Sequence, residues 1–486
     1  MTVPLLVILA FILVSSVVGI VGRGRGEMSL ERWSVGGRRF GVIIVWLLMA
    51  GEIYTTFTFL GASGWAYSRG APAFYILVYG TLGYIVSFFL LPPIWRLAKR
   101  RGLHTQPDFF LARYDSPALA GIVALVGVVS MVPYLQLQLA GLGMIVEIAS
   151  NGAISSAAAI VIAFALTCVF VYTSGLKGIA WVAIVKDVSM IIAVVVIGFG
   201  LPSMYFGGVG RMLDAVIRQH PTHLVFPGST TTMGVGWVVS TILLTGLGFY
   251  CWPHMFASAF SAKDARTIRR NAVIMPLYQL PILLVLFVGF TALLVIPGLK
   301  NPDTALLALV TRSYPGWFAG FVGGAGAVTA MVPASMLLLV ASTLVAKNIY
   351  RPLLGRTVGD EHLMRASRGF MFVIALAALA LALWSPKELV RLLIFGYDGV
   401  AQFFPGIALG VFAPRVRARH IMAGLVAGEL VVVGLIWSGH DPCLGMNAGF
   451  VGLAVNALVT VAAIALLRGH RDRDELQNLT SSGGRN

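Results

Sequence analysis

The chain alternates long apolar stretches with short polar loops, almost from its first residue to its last. Each stretch runs for about 20 apolar residues, the length that a helix needs to cross a bilayer. The runs are continuous rather than alternating, so they predict helices and not the strands of a barrel. We therefore predict an all-α polytopic membrane protein with about thirteen transmembrane helices, at roughly 2–22, 41–68, 73–95, 118–148, 154–174, 179–205, 234–254, 271–297, 304–346, 368–384, 387–412, 418–437 and 446–467.

Composition supports this class, since 58% of the 486 residues are hydrophobic and only 11% are charged. The net charge of +16 could suggest a nucleic-acid partner, but most lysines and arginines lie in every second loop. Cytoplasmic loops carry such an excess, so the N-terminus is expected outside and the C-terminus inside, in the inner membrane. Arg23 and Arg25 follow the first apolar stretch, which indicates a retained span rather than a secretory signal.

The pattern predicts one transmembrane domain over 1–467, with a core over about 41–412, and a disordered cytoplasmic tail over 468–486. No phosphate-binding loop occurs, and the three cysteines lack metal spacing, so neither a nucleotide, a metal nor another cofactor is expected. A membrane enzyme would cluster His, Asp or Arg at one interface, and a receptor would need a longer tail for a signalling kinase. Catalytic residues are therefore not expected, and membrane lipid is the only other partner besides a solute.

Two spans contain helix-breaking residues in their middles. The second span holds Gly51 and the charged Glu52, and the seventh holds Gly246, Gly248 and Pro253. Glycine and proline free backbone groups, which lipid tolerates only where they line a cavity or meet a ligand. Interrupted spans in corresponding places of two halves indicate a transporter's central site. The breaks are five spans apart, as two inverted five-helix repeats after one leading helix would require; kinked helices that merely pack well are the alternative.

Several short segments resemble the sodium:solute symporter family when they are taken in order along about 30–465. They are SVGGRRFG, FLGASGWAYSRG, GLHTQPDFFLARYDS, VYTSGLKGIAW, GFYCWPHMFASAFSAKDAR and ASTLVAKNIY. The resemblance implies a LeuT-type core of five plus five inverted-repeat helices, alternating access and a substrate near the bilayer midplane. The segment PYLQLQLAGLG is similar to the bacterial monocarboxylate permeases. That similarity implies symport of a small organic anion such as pyruvate, lactate, acetate or propionate. Sodium-coupled symport of pantothenate, proline or a sugar acid is the alternative.

The family holds sodium with backbone carbonyls of the first broken helix and a hydroxyl pair of a later helix. The resemblance places the carbonyls at Gly51 and Tyr54. It places the hydroxyl pair at Val332 and Pro333, and a further Thr-Asp pair at Val182 and Ala183, none of which offers a side-chain oxygen. A shift of a few residues would bring Thr329 or Ser335 to the hydroxyl position.

The resemblance places Lys186 at the position of a family glutamine. An amine therefore lies close in sequence to the apolar residues Val182 and Ala183. Ionisable groups inside a membrane are functional candidates, and burial favours their uncharged forms. We therefore predict coupling to H⁺, with Na⁺ as the alternative ion. Lys186 and Glu52 would handle the proton, beside the carbonyl of Tyr54 and with Asp187 as a tuning neighbour. A structural Lys186–Asp187 ion pair, or a lysine anchored at the cytoplasmic face, are the other interpretations.

A small carboxylate would need hydrogen-bond donors and an apolar wall. Backbone N–H groups at the broken helix ends supply positive potential, and no arginine lies in mid-span to favour a dicarboxylate. For each predicted side chain, ordinary helix packing is the alternative. The predicted substrate-binding residues, from the broken helix and from the family resemblance, are Gly51, Thr55, Thr58, Ser63, Tyr134, Gln138, Thr245, Phe249 and Gln402.

Overall fold

The computed structural model describes residues 2–22, 29–355, 358–385 and 388–482, with side chains as far as residue 466. Arg23, Arg25 and the last four residues of the predicted tail lie outside this part. Within it the chain forms helices joined by short loops, without any β-strand. The α-helices are α1 Val3–Gly22, α2 Leu30–Val35, α3 Val42–Gly51, α4 Ala62–Ser68, α5 Tyr75–Arg101, α6 Gln106–Tyr114, α7 Pro117–Ala149, α8 Ser156–Phe206, α9 Val209–Gln219, α10 Val235–Gly248, α11 Pro253–Phe260, α12 Ala265–Ile274, α13 Leu280–Val295, α14 Ala305–Ser313, α15 Gly316–Leu344, α16 Arg351–Leu354, α17 Asp360–Trp384, α18 Leu389–Val400, α19 Phe404–Phe412, α20 Ala418–Trp437 and α21 Ala448–Ser482.

Ten helical segments among the described residues are long and apolar enough to cross a membrane, and the bent pair α10–α11 makes an eleventh. The interrupted segment from α3 to α4 and the long helix α8 account for the difference from the predicted thirteen. The predicted spans 154–174 and 179–205 both lie in the segment α8, in which two helices meet at a kink at Gly175 (φ 61°, ψ −177°). The all-helical class is confirmed, whereas the number of crossings and their orientation stay predictions.

Two predicted boundaries differ from the structure for local reasons. The predicted span 304–346 is divided, because α14 ends at Ser313 and Pro315 begins a new helix. Tyr314 before that proline is extended (φ −121°, ψ 157°), as the clash with a proline ring requires. At the other end of the chain, the helical backbone of α21 continues past residue 467 to Ser482, into the segment predicted as a disordered tail.

Helix α15 forms the centre of the packing, because almost all of it is buried. It contacts α1, α7, α8 and α17. Helices α20 and α21 pair with each other at the periphery and expose apolar side chains such as Leu430 and Val461. Apolar side chains on the outer faces of a bundle are what lipid accepts, so this exposure agrees with a membrane-embedded body.

Both predicted helix breaks are confirmed. After α3 the chain leaves the α-helical path over residues 52–55 and re-enters as a π-helix, Phe57–Gly61. Between α10 and α11 the helix axis bends by 41°, and Pro253 is the first residue of α11. A proline is tolerated at that position because the first N–H of a helix has no intrahelical partner.

Candidate functional site

The first break frees backbone oxygens in the interior of the protein. Thr58 stabilises the irregular turn, because its hydroxyl donates to the Ile53 carbonyl at 2.9 Å and accepts from the Thr55 N–H at 3.0 Å. The Thr56 hydroxyl donates to the Gln138 carboxamide oxygen at 2.9 Å. These contacts stabilise the irregular turn. None of them uses the carbonyl oxygens of Gly51 and Tyr54.

Lys186 on α8 meets those two carbonyls. Its ammonium donates to the Gly51 oxygen and, at 3.0 Å, to the Tyr54 oxygen. The Asp187 carboxylate lies 3.1 Å from the same nitrogen, and both side chains are fully buried. A Cβ atom at Gly51 would lie 3.0 Å from the amine nitrogen, so glycine leaves room for this close approach. The lysine amine therefore lies against the helix break and not in water.

The positions at which the resemblance places side-chain ligands of sodium are buried and apolar in this chain. Val332, Val182 and Ala183 are fully buried. A shifted alignment would select the hydroxyl of Ser335 or that of Thr329, and these two hydroxyls differ in their hydrogen bonding. Ser335 donates to the Met331 carbonyl of its own helix at 2.6 Å, whereas the buried Thr329 hydroxyl has no partner among the described residues.

A small cavity of about 10 Å³ lies between the two breaks. We call it the central cavity; its lining residues are Glu52, Ile53, Phe57, Tyr79, Tyr134, Phe249, Trp252, His254, Met255, Leu393 and Tyr397. In this conformation it has room for about one water molecule, and its wall is mainly aromatic. The Tyr134 hydroxyl donates to the Glu52 carbonyl at 3.0 Å, which ties α7 to the first break.

Glu52 and His254 are the two ionisable side chains of the central cavity other than its tyrosines. The His254 Nε2 and Glu52 Oε2 atoms lie 3.6 Å apart, and both side chains are essentially inaccessible to solvent. We call these residues the Glu52–His254 pair. The sequence predicted Glu52 but missed His254. A histidine in mid-span directly after the breaking Pro253 is an intramembrane ionisable group, and that signal could have identified it.

The predicted substrate-binding residues separate into two groups. Tyr134 and Phe249 line the central cavity. The others are not among its lining residues, and their side chains have partners elsewhere in the described structure: Ser63 donates to the Leu60 carbonyl, Thr245 to the Thr241 carbonyl, the Thr55 hydroxyl accepts from the Phe57 N–H, and Gln402 donates to the carbonyls of Asp398 and Gly449. Thr58 and Gln138 brace the first break, and Gly51 contributes its carbonyl to Lys186.

Sequence reasoning predicted Tyr134 and Phe249 in the aromatic wall of the central cavity but missed Tyr79, Trp252 and Tyr397. Their rings are in mutual contact: the Tyr79 and Tyr397 centroids lie 6.0 Å apart, and those of Trp252 and Tyr397 5.2 Å apart. These rings come from α5, from the second break and from α18, which are distant in sequence. An aromatic residue in a transmembrane helix has no local signal that separates it from ordinary packing.

A second lysine–aspartate contact lies in the loop region around α6. The Lys347 amine is 2.6 Å from Asp108, and the Asn348 carboxamide donates to the same carboxylate at 3.0 Å. Asp108 also accepts from the backbone N–H groups of His104 and Thr105, as the N3 residue of the capping box that begins α6. Burial alone would raise the pKa of Asp108, but the Lys347 ammonium and these donors lower the pKa overall. We call this set the inner contact.

Comparisons with known proteins agree with this architecture. The profile of the sodium:solute symporter family matches residues 33–428. An uncharacterized symporter of Bacillus subtilis (strain 168), YhjB, is 42% identical over 481 residues, which cover 96% of this chain and 98% of the relative. A monocarboxylate transport permease protein of Rhizobium johnstonii is 28% identical, over 94% of this chain and 95% of the relative.

The fold is also found among solved structures. A Na⁺-coupled sialic acid symporter in a substrate-bound outward-open state superimposes with a TM-score of 0.78 at 15% identity, over 95% of this chain and 96% of that one. At that identity the likeness concerns the fold alone. The family match, together with the apolar helices and the two breaks, decides the class. The chain belongs to the sodium:solute symporter family and is a multi-pass membrane protein with a LeuT-type fold, a secondary transporter and not an enzyme.

Proposed function

We propose that this protein is a proton-coupled symporter that takes up a small monocarboxylate by alternating access. The observation that carries the proposal is the Lys186 ammonium at the carbonyl oxygens of Gly51 and Tyr54. A sodium ion needs oxygen ligands of this kind, and a covalently attached ammonium satisfies the same oxygens without an ion from solution. The apolar side chains at Val182, Ala183 and Val332 support the proposal further, because they remove oxygen ligands that sodium would need.

The proton cycle uses the difference between the charged and uncharged lysine. The ammonium binds both carbonyls and Asp187, and so holds the first break in its present form. The neutral amine binds the carbonyls less strongly, because hydrogen bonds from ionised donors are the stronger ones. Loss of the proton therefore loosens the contact between α8 and the break. Glu52, on the other side of the same turn, is the second proton-handling group in this proposal.

The substrate class is supported by the aromatic wall of the central cavity and by the similarity to the Rhizobium monocarboxylate permease. A short acid presents one polar end and a small apolar body. The aromatic rings of Phe249 and Trp252 suit the apolar body. The second candidate, sodium-coupled uptake of another small solute, is favoured by the sodium coupling of the structural neighbour.

The test measures uptake into proteoliposomes with imposed ion gradients. Labelled pyruvate, lactate, acetate and propionate are offered under a pH gradient without sodium, and under a sodium gradient at equal pH. We expect accumulation with the pH gradient alone. Accumulation that requires sodium would overturn the proton coupling, and failure of every acid under both gradients would overturn the substrate class.

Variants of Lys186 test whether its amine takes part in coupling. Lys186→Ala is expected to abolish accumulation against a gradient while exchange of internal for external substrate continues. Lys177→Ala is the matched control, because Lys177 lies on the same helix but is exposed. Normal accumulation by Lys186→Ala would remove the lysine from the coupling mechanism.

A further inference from the structure

The central cavity contains buried polar atoms that no protein group satisfies. Both carboxyl oxygens of Glu52 and both ring nitrogens of His254 lack a hydrogen-bond partner among the described residues. Both residues are buried, with 3% and 0% of their surface exposed. Buried polar groups in proteins are almost always hydrogen-bonded, so four such atoms in one cavity call for a partner that is not part of the chain.

The Glu52–His254 pair does not satisfy itself. The distance of 3.6 Å between its nearest atoms is too long for a good hydrogen bond. Even a shorter contact would use one oxygen and one nitrogen and leave the other two atoms unpaired. The two residues come from the two helix breaks, since Glu52 follows α3 directly and His254 is the second residue of α11. A group held by both would therefore connect the two broken helices.

The chemistry of the pair limits the group that it can receive. Apart from the pair, the cavity wall is apolar or aromatic, so the ligand needs one polar end and a short apolar body. An ionised Glu52 beside a ligand carboxylate would place two like charges in a site without water, and such a pair holds one proton between its members. His254 can supply the other hydrogen bond, because a neutral imidazole has one donor and one acceptor nitrogen.

The charged and hydroxyl side chains near Glu52 support one proton shared between Glu52 and the ligand carboxylate. The ionisable or hydroxyl side chains on the elements packed around it are Lys186 and Asp187 of α8, Tyr134 of α7, His254 of α11, Tyr79 of α5 and Tyr397 of α18. Lys186 and Asp187 already pair with each other at 3.1 Å. None of the described residues that line the cavity is an arginine or a lysine that could balance two carboxylates.

We propose that the Glu52–His254 pair binds the carboxylate of the substrate, with Glu52 protonated and donating to one carboxylate oxygen and His254 donating to the other. This inference rests on the proposed monocarboxylate substrate. It adds a substrate-contacting residue, His254, and a one-to-one uptake of acid and proton at the binding step. The shared proton stays on Glu52, and it is separate from the proton that Lys186 exchanges in the proposed cycle.

The experiment measures binding of labelled propionate and pyruvate to the purified full-length protein in nanodiscs between about pH 6 and pH 10. In the wild type the affinity is expected to fall once the pH exceeds the pKa of Glu52 in the substrate-free protein, by up to about tenfold per pH unit, because the anion binds only the form with protonated Glu52. Glu52→Gln carries a permanently neutral side chain with a donor. This variant is expected to bind with an affinity that no longer depends on pH.

His254 is tested by two replacements of different hydrogen-bonding capacity. His254→Gln keeps a donor and is expected to retain most of the affinity, whereas His254→Phe keeps the ring shape and is expected to lose about tenfold. Glu429→Gln and His362→Gln are the matched controls, because these residues lie on α20 and α17, outside the cavity lining. Unfolding midpoints of all variants distinguish a lost contact from a failure to fold.

Three results would overturn the inference. Glu52→Gln could lose binding at every pH, as expected if an ionised Glu52 pairs with the ammonium of a zwitterion; proline serves as the probe for that case. It could also keep the pH dependence of the wild type, or His254→Phe could bind like the wild type. If the wild type binds no monocarboxylate at all, the proposed function itself fails; if it binds them and only these variants disagree, the inference alone fails.

Discussion

Lys186 and Lys347 each contact an aspartate, but their surroundings differ. Asp108, the partner of Lys347, also accepts from two backbone N–H groups and from Asn348. Asp187, the partner of Lys186, is 3.1 Å from the amine, yet neither of its oxygens accepts a well-directed hydrogen bond from a described residue. The Lys186 ammonium instead donates to the carbonyls of the helix break.

This difference distinguishes the structural ion pair Lys347–Asp108 from the pair Lys186–Asp187, whose lysine is suited to gain and lose a proton. In the inner contact, the aspartate caps a helix and would remain anchored without its lysine. At the break, the lysine is the donor that holds the freed carbonyls, and loss of its proton changes all of its contacts. A buried pair also pays for desolvation, so it is weak evidence for stability and stronger evidence for function.

The largest expected effect is on the free energy of unfolding, measured after the amine of Lys186 or that of Lys347 is removed. Lys186→Ala leaves Asp187 buried and unpaired, which should lower the free energy of unfolding by about 3–5 kcal/mol. Lys347→Ala should lower it by about 1 kcal/mol, because that pair is partly exposed and Asp108 keeps its other donors. Denaturation in detergent measures both, and adding Asp187→Leu to Lys186→Ala should recover much of the loss. An equal loss for the two lysines would contradict the comparison.

The inner contact should be insensitive to mild acid. Asp108→Ala removes the N3 half of the capping box and the ion pair, at an expected cost of about 2 kcal/mol. Because the pKa of Asp108 is lowered, its stabilisation is complete above the ordinary carboxyl range and is lost only as the pH falls through the lowered value. The difference in unfolding free energy between wild type and variant should therefore be the same at pH 5 and pH 8. A difference that vanishes at pH 5 would show that the inner contact also responds to protons.

A sodium titration tests whether the Lys186 amine occupies the position of a sodium ion. Lys186→Ala leaves two carbonyl oxygens and the Asp187 carboxylate around an open position. Sodium at ten times its dissociation constant should then stabilise this variant by about 1.4 kcal/mol, while the wild type gains nothing beyond the effect of choline at equal ionic strength. The thermal unfolding midpoint is the measurement. Equal stabilisation of both proteins would place any sodium site elsewhere.

The smallest effect tests the helix break itself. Thr58→Val removes the hydroxyl that braces the turn, and the expected loss is about 1 kcal/mol of unfolding free energy. Since Thr58 lies outside the central cavity, the variant should lower the maximal transport rate more than it raises KM. Gln402→Ala, whose carboxamide faces α21, should leave KM unchanged. A selective rise of KM in either variant would return that residue to the substrate site.

Much of the architecture could be predicted from local signals. The apolar runs indicated the helices, and Gly51, Gly248 and Pro253 indicated where two of them break. The predicted boundary between 154–174 and 179–205 agrees with the kink at Gly175, whereas the predicted span 304–346 missed the division before Pro315. The site was predicted only in part: Lys186 and Glu52 were recognised as charges in apolar surroundings, whereas Thr245 and Gln402 were selected by resemblance and have partners outside the cavity.

The sequence by itself determined the helical, membrane-spanning class, the two breaks and the presence of an unusual lysine among apolar residues. These follow from hydropathy, chain geometry and the cost of charge in lipid, which act within a few residues of one another. Only the tertiary structure decided that the Lys186 amine meets carbonyls more than a hundred positions earlier in the chain, and that His254 faces Glu52 across two broken helices. Such pairings depend on how distant helices pack, and the local pattern around either residue contains no information about its partner.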